Sequence, residues 1–279
     1  MGDRALQNDD ITAVVVAYNS AAALPACLAA IAAAGLAAVV VDNASTDRSR
    51  DIAADGSARV IANPRNEGFG RAANRGVAAA TTPYCLALNP DITFAPDAIQ
   101  RLRRALVENP KAALAGPRLL GSDGRDAQLT ASPINRAGEL LSGAAMLVRR
   151  DVFLTLGGFD PNIFLFWEDN DLCRRAVDEG YHVVVVHDAH VHHVRGGSTA
   201  PTPGHIYRIR WHQAWSRFYV LDKHRVPSDL GRWLLRFRIK AAGAQLLGNA
   251  NRLERYRGSC DGARAFQLGQ TALAKEDLV

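Results

Sequence analysis

The sequence of 279 residues predicts an α/β protein in which helices flank a mainly parallel sheet, followed by an amphipathic helical extension at the C-terminal end. First, short β-branched runs such as ITAVVVA, Ile11 to Ala17, alternate with helical segments, as in βαβ units. Second, these runs are apolar throughout, which is typical of strands covered on both faces. Third, polar residues follow the strands, at the edge where such sheets bind ligands. We therefore expect a ligand-binding cleft at that edge.

The first half of the chain contains four predicted strands joined by helices. Strand ITAVVVA precedes an Ala-rich helix with Pro25 in its first turn and Gly35 at its end. Strand AAVVVDNAS with its polar tip, a helix over 47–54, strand ARVIAN, a helix over 71–79 and strand YCLALNPD follow. The next segment, APDAIQRLRRALVENP, predicts an amphipathic helix with Asp97 in its first turn. Together these segments predict successive βαβ units.

The second half completes the predicted sheet and then changes in character. Strand AALAGPRLL leads into a loop over 121–138, because that stretch is rich in Gly, Ser, Asp and Pro. A strand and short helix (LSGAAMLVRRDVFLTLGGFD), a helix over 169–179 and strand YHVVVVHDAHVHH close a domain that we assign to residues 1–203. The remainder, 204–279, predicts basic amphipathic helices, because Trp, Phe, Tyr and Leu recur at helical spacing between Arg residues.

The composition of the C-terminal region leaves two interpretations. Its helices pack on the core with Arg in solvent, or they also lie on an anionic membrane surface. The net charge of +5 would permit nucleic acid, but the aromatic residues lack the spacing of a sheet platform, so we expect no such partner. The four cysteines form no CxxC pair, and we find neither a signal peptide nor a membrane-spanning apolar run. We expect a cytoplasmic protein that can lie peripherally on the inner face of the membrane.

Polar residues follow three of the predicted strands. Tyr18 and Asn19 follow the first strand, and Asp42 follows the second, where its carboxylate could accept a hydrogen bond from the imide of a pyrimidine base. For Asp47, capping of the next helix is the better interpretation. Asp91 ends an apolar strand, where a carboxylate suits a divalent ion, although Asn-Pro-Asp is also ordinary turn chemistry.

The motifs VVVAYN, VVVDNASTD, NEGFGRAANRG, ALNPD and FWEDNDLCRR resemble, in order and spacing, the inverting glycosyltransferases of family 2. The resemblance covers about residues 11–198 and is closest to the bacterial rhamnosyltransferase-like branch. It implies the GT-A (Rossmann-like) fold and transfer of a sugar from a nucleotide diphosphate sugar to a hydroxyl of a glycan or polyprenyl-linked acceptor, in cell-envelope polysaccharide synthesis. The branch suggests dTDP-L-rhamnose as the donor. The alternative is a non-catalytic nucleotide- or glycan-binding module on the same scaffold.

The resemblance also implies roles for single residues. Asp91, in the place of the family's DxD motif, would bind Mg²⁺ or Mn²⁺, and Asp169 of the Glu168-Asp169 pair would be the catalytic base. Glu168 would contact the acceptor or hold the base in place. The residues expected at the nucleotide diphosphate are Tyr18, Asn19, Asp42, Asn43, Asn66, Arg71 and Asn89. Asp171 is interpreted as a first-turn charge, because it lies on another face of the helix.

The run HDAHVHHVRGGS leaves the choice of a histidine open. Alternate residues of a strand share a face, so a zinc site formed by His190 and His192 is one interpretation. By register from Asp169, His193 instead falls where family members complete the metal or diphosphate site, with His192 as the next choice. Arg195 then belongs either to a loop that closes over the diphosphate or to a plain linker.

The segment LSGAAMLVRR resembles the acceptor side of the family's cleft. Ser142 and Gly143 would line that cleft, or Gly143 would only permit close packing.

Overall fold

The computed structural model describes residues 8–121, 123–126, 132–136, 139–194 and 204–273, which form eight strands and nine helices. The strands are β1 (Ile11–Ala17), β2 (Ala37–Asp42), β3 (Arg59–Ala62), β4 (Tyr84–Leu88), β5 (Ile92–Phe94), β6 (Ala112–Leu120), β7 (Ala145–Arg149) and β8 (His182–His193). The helices are α1 (Leu24–Ala33), α2 (Ser49–Asp55), α3 (Phe69–Ala79), α4 (Pro96–Glu108), α5 (Arg150–Thr155), α6 (Glu168–Asp178), α7 (His205–Lys223), α8 (Leu230–Leu246) and α9 (Ala250–Gln267).

All eight strands form one sheet in the order β3-β2-β1-β4-β7-β6-β8-β5. Strands β3, β2, β1 and β4 are parallel, as are β6 and β8, so the predicted α/β architecture is confirmed. Strand β7 is antiparallel to both β4 and β6, and the edge strand β5 is antiparallel to β8. The sequence analysis did not predict β5, because three residues are too few to show a period.

Several predicted helices begin at slightly different residues. Helix α2 begins at Ser49 rather than 47, because the Asp47 Oδ1 atom accepts hydrogen bonds from the Ser49 amide and hydroxyl before the helix starts. Asp47 therefore binds the first residue of α2 as a cap would, although Arg48 rather than Asp47 occupies the N-cap position. Helices α3 and α6 begin at Phe69 and Glu168, slightly earlier than expected. The predicted loop over 121–138 lies partly outside the described residues.

Hydrophobic cores fill both faces of the sheet. Because successive residues of a strand point to opposite faces, Val15 of β1 packs with α1 and α4, whereas Val14 packs with α3. Helix α3 approaches β1 closely at Gly76, where a Cβ atom would lie 2.2 Å from the Cγ1 atom of Val14. This close packing fixes the position of α3, and hence of the loop that precedes it.

The three C-terminal helices pack against the sheet domain. Phe164 belongs to a buried cluster with Trp211 and Trp215, and Ile163 belongs to a second cluster with Phe218. The interpretation that these helices pack on the core therefore agrees with the structure. None of the helices in the described part of the chain is long and apolar enough to cross a membrane.

Candidate active site

The turn after β1 is tied to the turn after β2 at the carboxyl edge of the sheet. Asn19 has a positive φ of 48°, and its amide donates to the Ser45 hydroxyl. Its side-chain oxygen accepts from the Thr46 amide at 2.8 Å. Tyr18 lies in the same turn, where its amide donates to the hydroxyl of Ser20. The predicted residues Tyr18 and Asn19 thus lie beside the end of β2, although the backbone amide and the side-chain oxygen of Asn19 already bind protein groups.

Asp42, at the end of β2, has one free carboxylate oxygen. Its side chain is completely buried, and its Oδ2 atom accepts from Arg50 of α2 at 2.9 Å. Its Oδ1 atom is buried without a hydrogen-bond partner. Because an unpaired buried acceptor costs free energy, this oxygen is suited to an N–H donor of a ligand. Arg50 was missed by the sequence analysis.

The loop over 63–68 is built around Asn43. The Asn43 amide group donates to the Asn66 side-chain oxygen at 2.7 Å, and its oxygen accepts from the Glu67 amide at 3.0 Å. The predicted residues Asn43 and Asn66 therefore bind each other and shape this loop. Gly68 has a φ of 81°, and a Cβ there would lie 2.1 Å from the Phe164 carbonyl oxygen, which also accepts from the Phe69 amide.

Arg71, expected near the diphosphate, lies in the first turn of α3. Its Nε atom donates to the Pro161 carbonyl at 2.7 Å, which fixes the side chain against the segment before α6. Its contact with a diphosphate stays a prediction.

Asp91 and His193 meet where β5 pairs with β8. Ile92 lies opposite His193 in the ladder, which places the His193 Nε2 atom 3.5 Å from Asp91 Oδ1. Both carboxylate oxygens of Asp91 and the Nδ1 atom of His193 are buried without a hydrogen-bond partner. His192, one residue earlier, is exposed. The structure thus brings Asp91 together with His193 rather than with His192.

These unpartnered groups fit a divalent ion. Carboxylate oxygen and neutral imidazole are metal ligands, and phosphate oxygens of a bound nucleotide would supply further ones. No cluster of three metal-binding side chains lies within the described residues, so the pair would depend on the nucleotide. Burial and the charge of the nearby Asp91 raise the pKa of the Cys27 thiol to about 12, and the Cys27 Sγ atom donates to the Asn89 carbonyl at 3.7 Å. Asn89, just before Asp91, donates its amide to the Ala144 carbonyl at 2.9 Å.

The Glu168-Asp169 pair begins α6 after an unusual turn. Phe166 and Trp167 have positive φ values of 67° and 72°, which bulky residues rarely adopt outside functional sites. Asp169 Oδ2 accepts from the Gly143 amide at 3.0 Å, and Oδ1 accepts from the amide of the following residue. A Cβ at Gly143 would lie 3.5 Å from the Cβ of Asp169, so Gly143 directly adjoins the pair.

Glu168 differs from Asp169 in its surroundings. Its Oε2 atom is buried and has no hydrogen-bond partner. Burial, together with the charge of Asp169, raises the pKa of Glu168 to about 8. With its pKa at about 8, Glu168 is mainly protonated at neutral pH. A protonated carboxyl can donate a hydrogen bond to a hydroxyl group.

The sequence model of Glycosyl transferase family 2 matches residues 12–181, which is more than half of the chain. The chain belongs to glycosyl transferase family 2. The match includes Asp42, Asp91 and the Glu168-Asp169 pair, and it confirms the resemblance drawn from the sequence motifs.

Two relatives of this family 2 glycosyltransferase carry rhamnosyltransferase names. The N-acetylglucosaminyl-diphospho-decaprenol L-rhamnosyltransferase of Mycobacterium tuberculosis is 28% identical, over 82% of this chain and 90% of the relative. The dTDP-rhamnosyl transferase RfbF of Shigella flexneri is 24% identical, over 79% of this chain and 82% of the relative. The rhamnosyltransferase-like character expected from the sequence is therefore confirmed.

The fold has a solved counterpart in a mannosyltransferase. PcManGT of Pyrobaculum calidifontis, in complex with GDP-Man and Mn²⁺, matches with a TM-score of 0.60 over 93% of this chain and 87% of that one. At 15% identity this likeness bears on the fold alone, and it confirms the expected GT-A architecture.

A buried ion cluster in this glycosyltransferase was missed by the sequence analysis. Asp171 is completely buried, and its Oδ2 atom accepts from Arg175 at 2.8 Å. Its Oδ1 atom lies 2.7 Å from Lys223 Nζ and 2.9 Å from His224 Nε2, both at the end of α7. Lys223 also donates to Asp160 at 2.6 Å.

Asp171 thus belongs to the first turn of α6, as expected, but it joins that turn to α7. Burial alone would raise its pKa, but His224, Arg175 and Lys223 outweigh burial and lower the pKa to about 2. The spacing of Asp171 and Arg175 in the sequence could have indicated one partner. Nothing in the sequence indicated the other two.

Proposed function

We propose that this chain is an inverting rhamnosyltransferase, which moves L-rhamnose from dTDP-L-rhamnose to a hydroxyl of a polyprenyl-diphosphate-linked saccharide. The names of the two relatives support this donor and this class of acceptor. The unpartnered Oδ1 atom of Asp42 supports a pyrimidine base, since the imide N–H of thymine is a matching donor. The reaction would belong to cell-envelope polysaccharide synthesis in the cytoplasm, at the inner face of the membrane.

One observation carries the proposal: the adjacent residues Gly143 and Ala144 contact both Asp169 and the segment that carries Asp91. Gly143 donates its amide to the carboxylate of Asp169, and Ala144 accepts a hydrogen bond from the amide of Asn89. Asn89 is two residues from Asp91. The residues proposed to bind the metal and the residue proposed to accept the proton are therefore both tied to Gly143 and Ala144, which supports a single reaction centre.

In the proposed reaction, the acceptor hydroxyl attacks the anomeric carbon from the face opposite the departing dTDP. The new C–O bond forms as the bond to the diphosphate oxygen breaks, and the hydroxyl proton passes to a carboxylate oxygen of Asp169. Protonated Glu168 would donate a hydrogen bond to the acceptor and keep a second negative charge away from the base. Asp91 and His193 would hold Mg²⁺ or Mn²⁺, which would neutralise charge that develops on the leaving diphosphate.

The test combines binding and turnover on the purified chain. We would measure thermal stabilisation by dTDP-, UDP- and GDP-sugars with Mn²⁺ or Mg²⁺, and transfer of rhamnose to a polyprenyl-diphosphate-linked N-acetylglucosamine, with the anomer of the product assigned by NMR. Asp91→Ala should abolish stabilisation that depends on the metal, whereas Asp97→Ala, an exposed carboxylate on α4, should not.

Asp169→Asn should bind the donor but lower turnover by about 10³-fold, in the range of general base catalysis. Asp178→Asn, on the exposed side of the same helix, should leave turnover unchanged. If no nucleotide diphosphate sugar stabilises the wild type with either metal, the donor site is wrong. If the donor binds but the wild type transfers nothing to any acceptor, the non-catalytic binding module becomes the better interpretation.

A further inference from the structure

Helix α8 has an apolar outer face that nothing in the described chain covers. Leu235 and Ile239 are 61% and 64% exposed, and Leu246 and Leu247 at the end of the helix are 89% and 77% exposed. The spacing of Leu235, Ile239 and Leu246 places these three side chains along one side of the helix. Single exposed leucines are ordinary on protein surfaces, but an aligned row indicates an interaction site.

The opposite face of α8 already fulfils the packing role of the helix. Leu234 and Ala244 are buried, Trp233 stacks on Phe237, and Phe237 contacts the ring of Tyr256 in α9. The exposed row is therefore not needed to hold α8 on the protein. It is a second, separate apolar surface.

The positive charge beside this apolar row indicates a negatively charged binding partner. Arg232, Arg236 and Arg238 are exposed on α8, and Lys240 lies over the rings of Phe237 and Tyr256. Helix α8 contains no acidic residue, and its N-cap Asp229 pairs with Arg232 at 3.2 Å. An apolar row with arginines beside it matches a surface that combines acyl chains with negative headgroups. Two copies of the chain would instead bring like charges together across a two-fold interface.

We propose that the outer face of α8, formed by Leu235, Ile239, Leu246, Leu247 and the three arginines, docks on anionic lipid. The leucines and the isoleucine enter the boundary between headgroups and acyl chains, while the arginines bind lipid phosphates. Docking through a helix that lies in the interface needs no membrane-spanning segment. Vesicle binding can be measured without donor or acceptor, so this inference is tested independently of the proposed reaction.

The experiment is co-sedimentation of the full chain with vesicles. We expect the wild type to bind phosphatidylcholine vesicles that contain about a third phosphatidylglycerol, not vesicles of phosphatidylcholine alone, and to be released by about 0.5 M salt. Leu235→Ser with Ile239→Ser should lower the partition coefficient at least about tenfold, because apolar burial is lost. The matched control, Val107→Ser with Leu154→Ser, removes two exposed apolar side chains from α4 and α5 and should bind normally.

A second pair of variants tests the charge. Replacing Arg232, Arg236 and Arg238 by Gln should weaken binding about fivefold for each residue, since each basic residue near an anionic surface contributes about that much. In the control, Gln replaces Arg104, Lys111 and Arg125, which are exposed on the sheet domain. These replacements should not weaken vesicle binding. Far-UV circular dichroism and the melting temperature verify that every variant is folded.

Three results would overturn the proposal. The first is a wild type that does not bind anionic vesicles. The second is binding that the α8 variants and their controls reduce equally. The third is a wild-type dimer in analytical ultracentrifugation that Leu235→Ser with Ile239→Ser dissociates, because a second copy of the chain would then cover this face.

Discussion

The buried carboxylate of Asp171 should be one of the most sensitive positions for stability in the chain. Asp171→Asn keeps the shape of the side chain but leaves Arg175, Lys223 and His224 without the charge that they surround. Removing one member of a buried ion cluster lowers the free energy of unfolding by about 3–5 kcal/mol. Because Lys223 still pairs with Asp160 in the variant, we expect a loss of about 3 kcal/mol. For a domain of this size, that corresponds to a decrease of about 5 °C in melting temperature.

The control is a second carboxylate on the same helix. Asp178 pairs with Arg174 at 2.8 Å, which is also the separation of Asp171 and Arg175. However, both Asp178 and Arg174 are exposed. Asp178→Asn should cost less than about 0.5 kcal/mol. Differential scanning calorimetry of the three proteins measures both effects. Equal decreases for Asp171→Asn and Asp178→Asn would show that burial of the cluster does not determine its contribution.

The same cluster predicts an acid transition. Its partners lower the pKa of Asp171 from 3.8 to about 2, so the folded state favours the ionised carboxylate. This stabilisation, about 2 kcal/mol, is complete above pH 4 and is lost as the pH falls toward 2. The difference in melting temperature between the wild type and Asp171→Asn should therefore shrink over that range. A difference that stays constant down to pH 2 would contradict the assigned pKa.

Three further predictions concern the site. Burial and the adjacent aspartate raise the pKa of Glu168 to about 8, so the wild-type stability should decline from about pH 4.5 to pH 8. Glu168→Gln should therefore melt at a higher temperature than the wild type at pH 8, while losing activity. Melting temperatures of the two proteins that change in parallel with pH would refute this. Gly68→Ala should lower both stability and activity, since its Cβ would clash with the Phe164 carbonyl. Gly157→Ala, at the similar φ of 80° but with no atom within 4 Å, should cost only about 1 kcal/mol, and calorimetry separates the two. Asp42→Ala should weaken dTDP binding about tenfold in calorimetric titration but leave the binding of inorganic diphosphate unchanged. An equal loss of affinity for both ligands would show that Asp42 does not contact the nucleotide base.

The fold could be predicted where local sequence determines local structure. Runs such as ITAVVVA and AAVVVD form strands because β-branched residues fit a buried sheet, and Gly35 ends a helix because it can adopt a positive φ. Strand direction is not determined in this way. The apolar run that forms β7 looks the same whether it pairs parallel or antiparallel, so its antiparallel pairing could not be predicted.

The site could be predicted in its motifs but not in its partners. The sequence indicated Asp42, Asp91 and the Glu168-Asp169 pair. The structure places Asp42 at the end of β2, Asp91 in the turn between β4 and β5, and the pair at the start of α6. The choice between His192 and His193 depends on the β5–β8 register, which only the folded chain provides. Arg50 and Lys223 escaped notice because a solvated arginine or lysine in a sequence looks like one that pairs with a buried carboxylate.

The contacts between the C-terminal helices and the turn at Phe164 have a consequence for synthesis on the ribosome. His212 stacks on Phe164 at 4.6 Å, the Ser216 hydroxyl donates to the Leu165 carbonyl, and Ala272 belongs to the same buried cluster as Phe164. During translation the sheet emerges first, and the turn at Phe164 lacks these contacts until α7 and the segment after α9 follow. The candidate site of the nascent glycosyltransferase therefore stays without this support until residue 272 has been made.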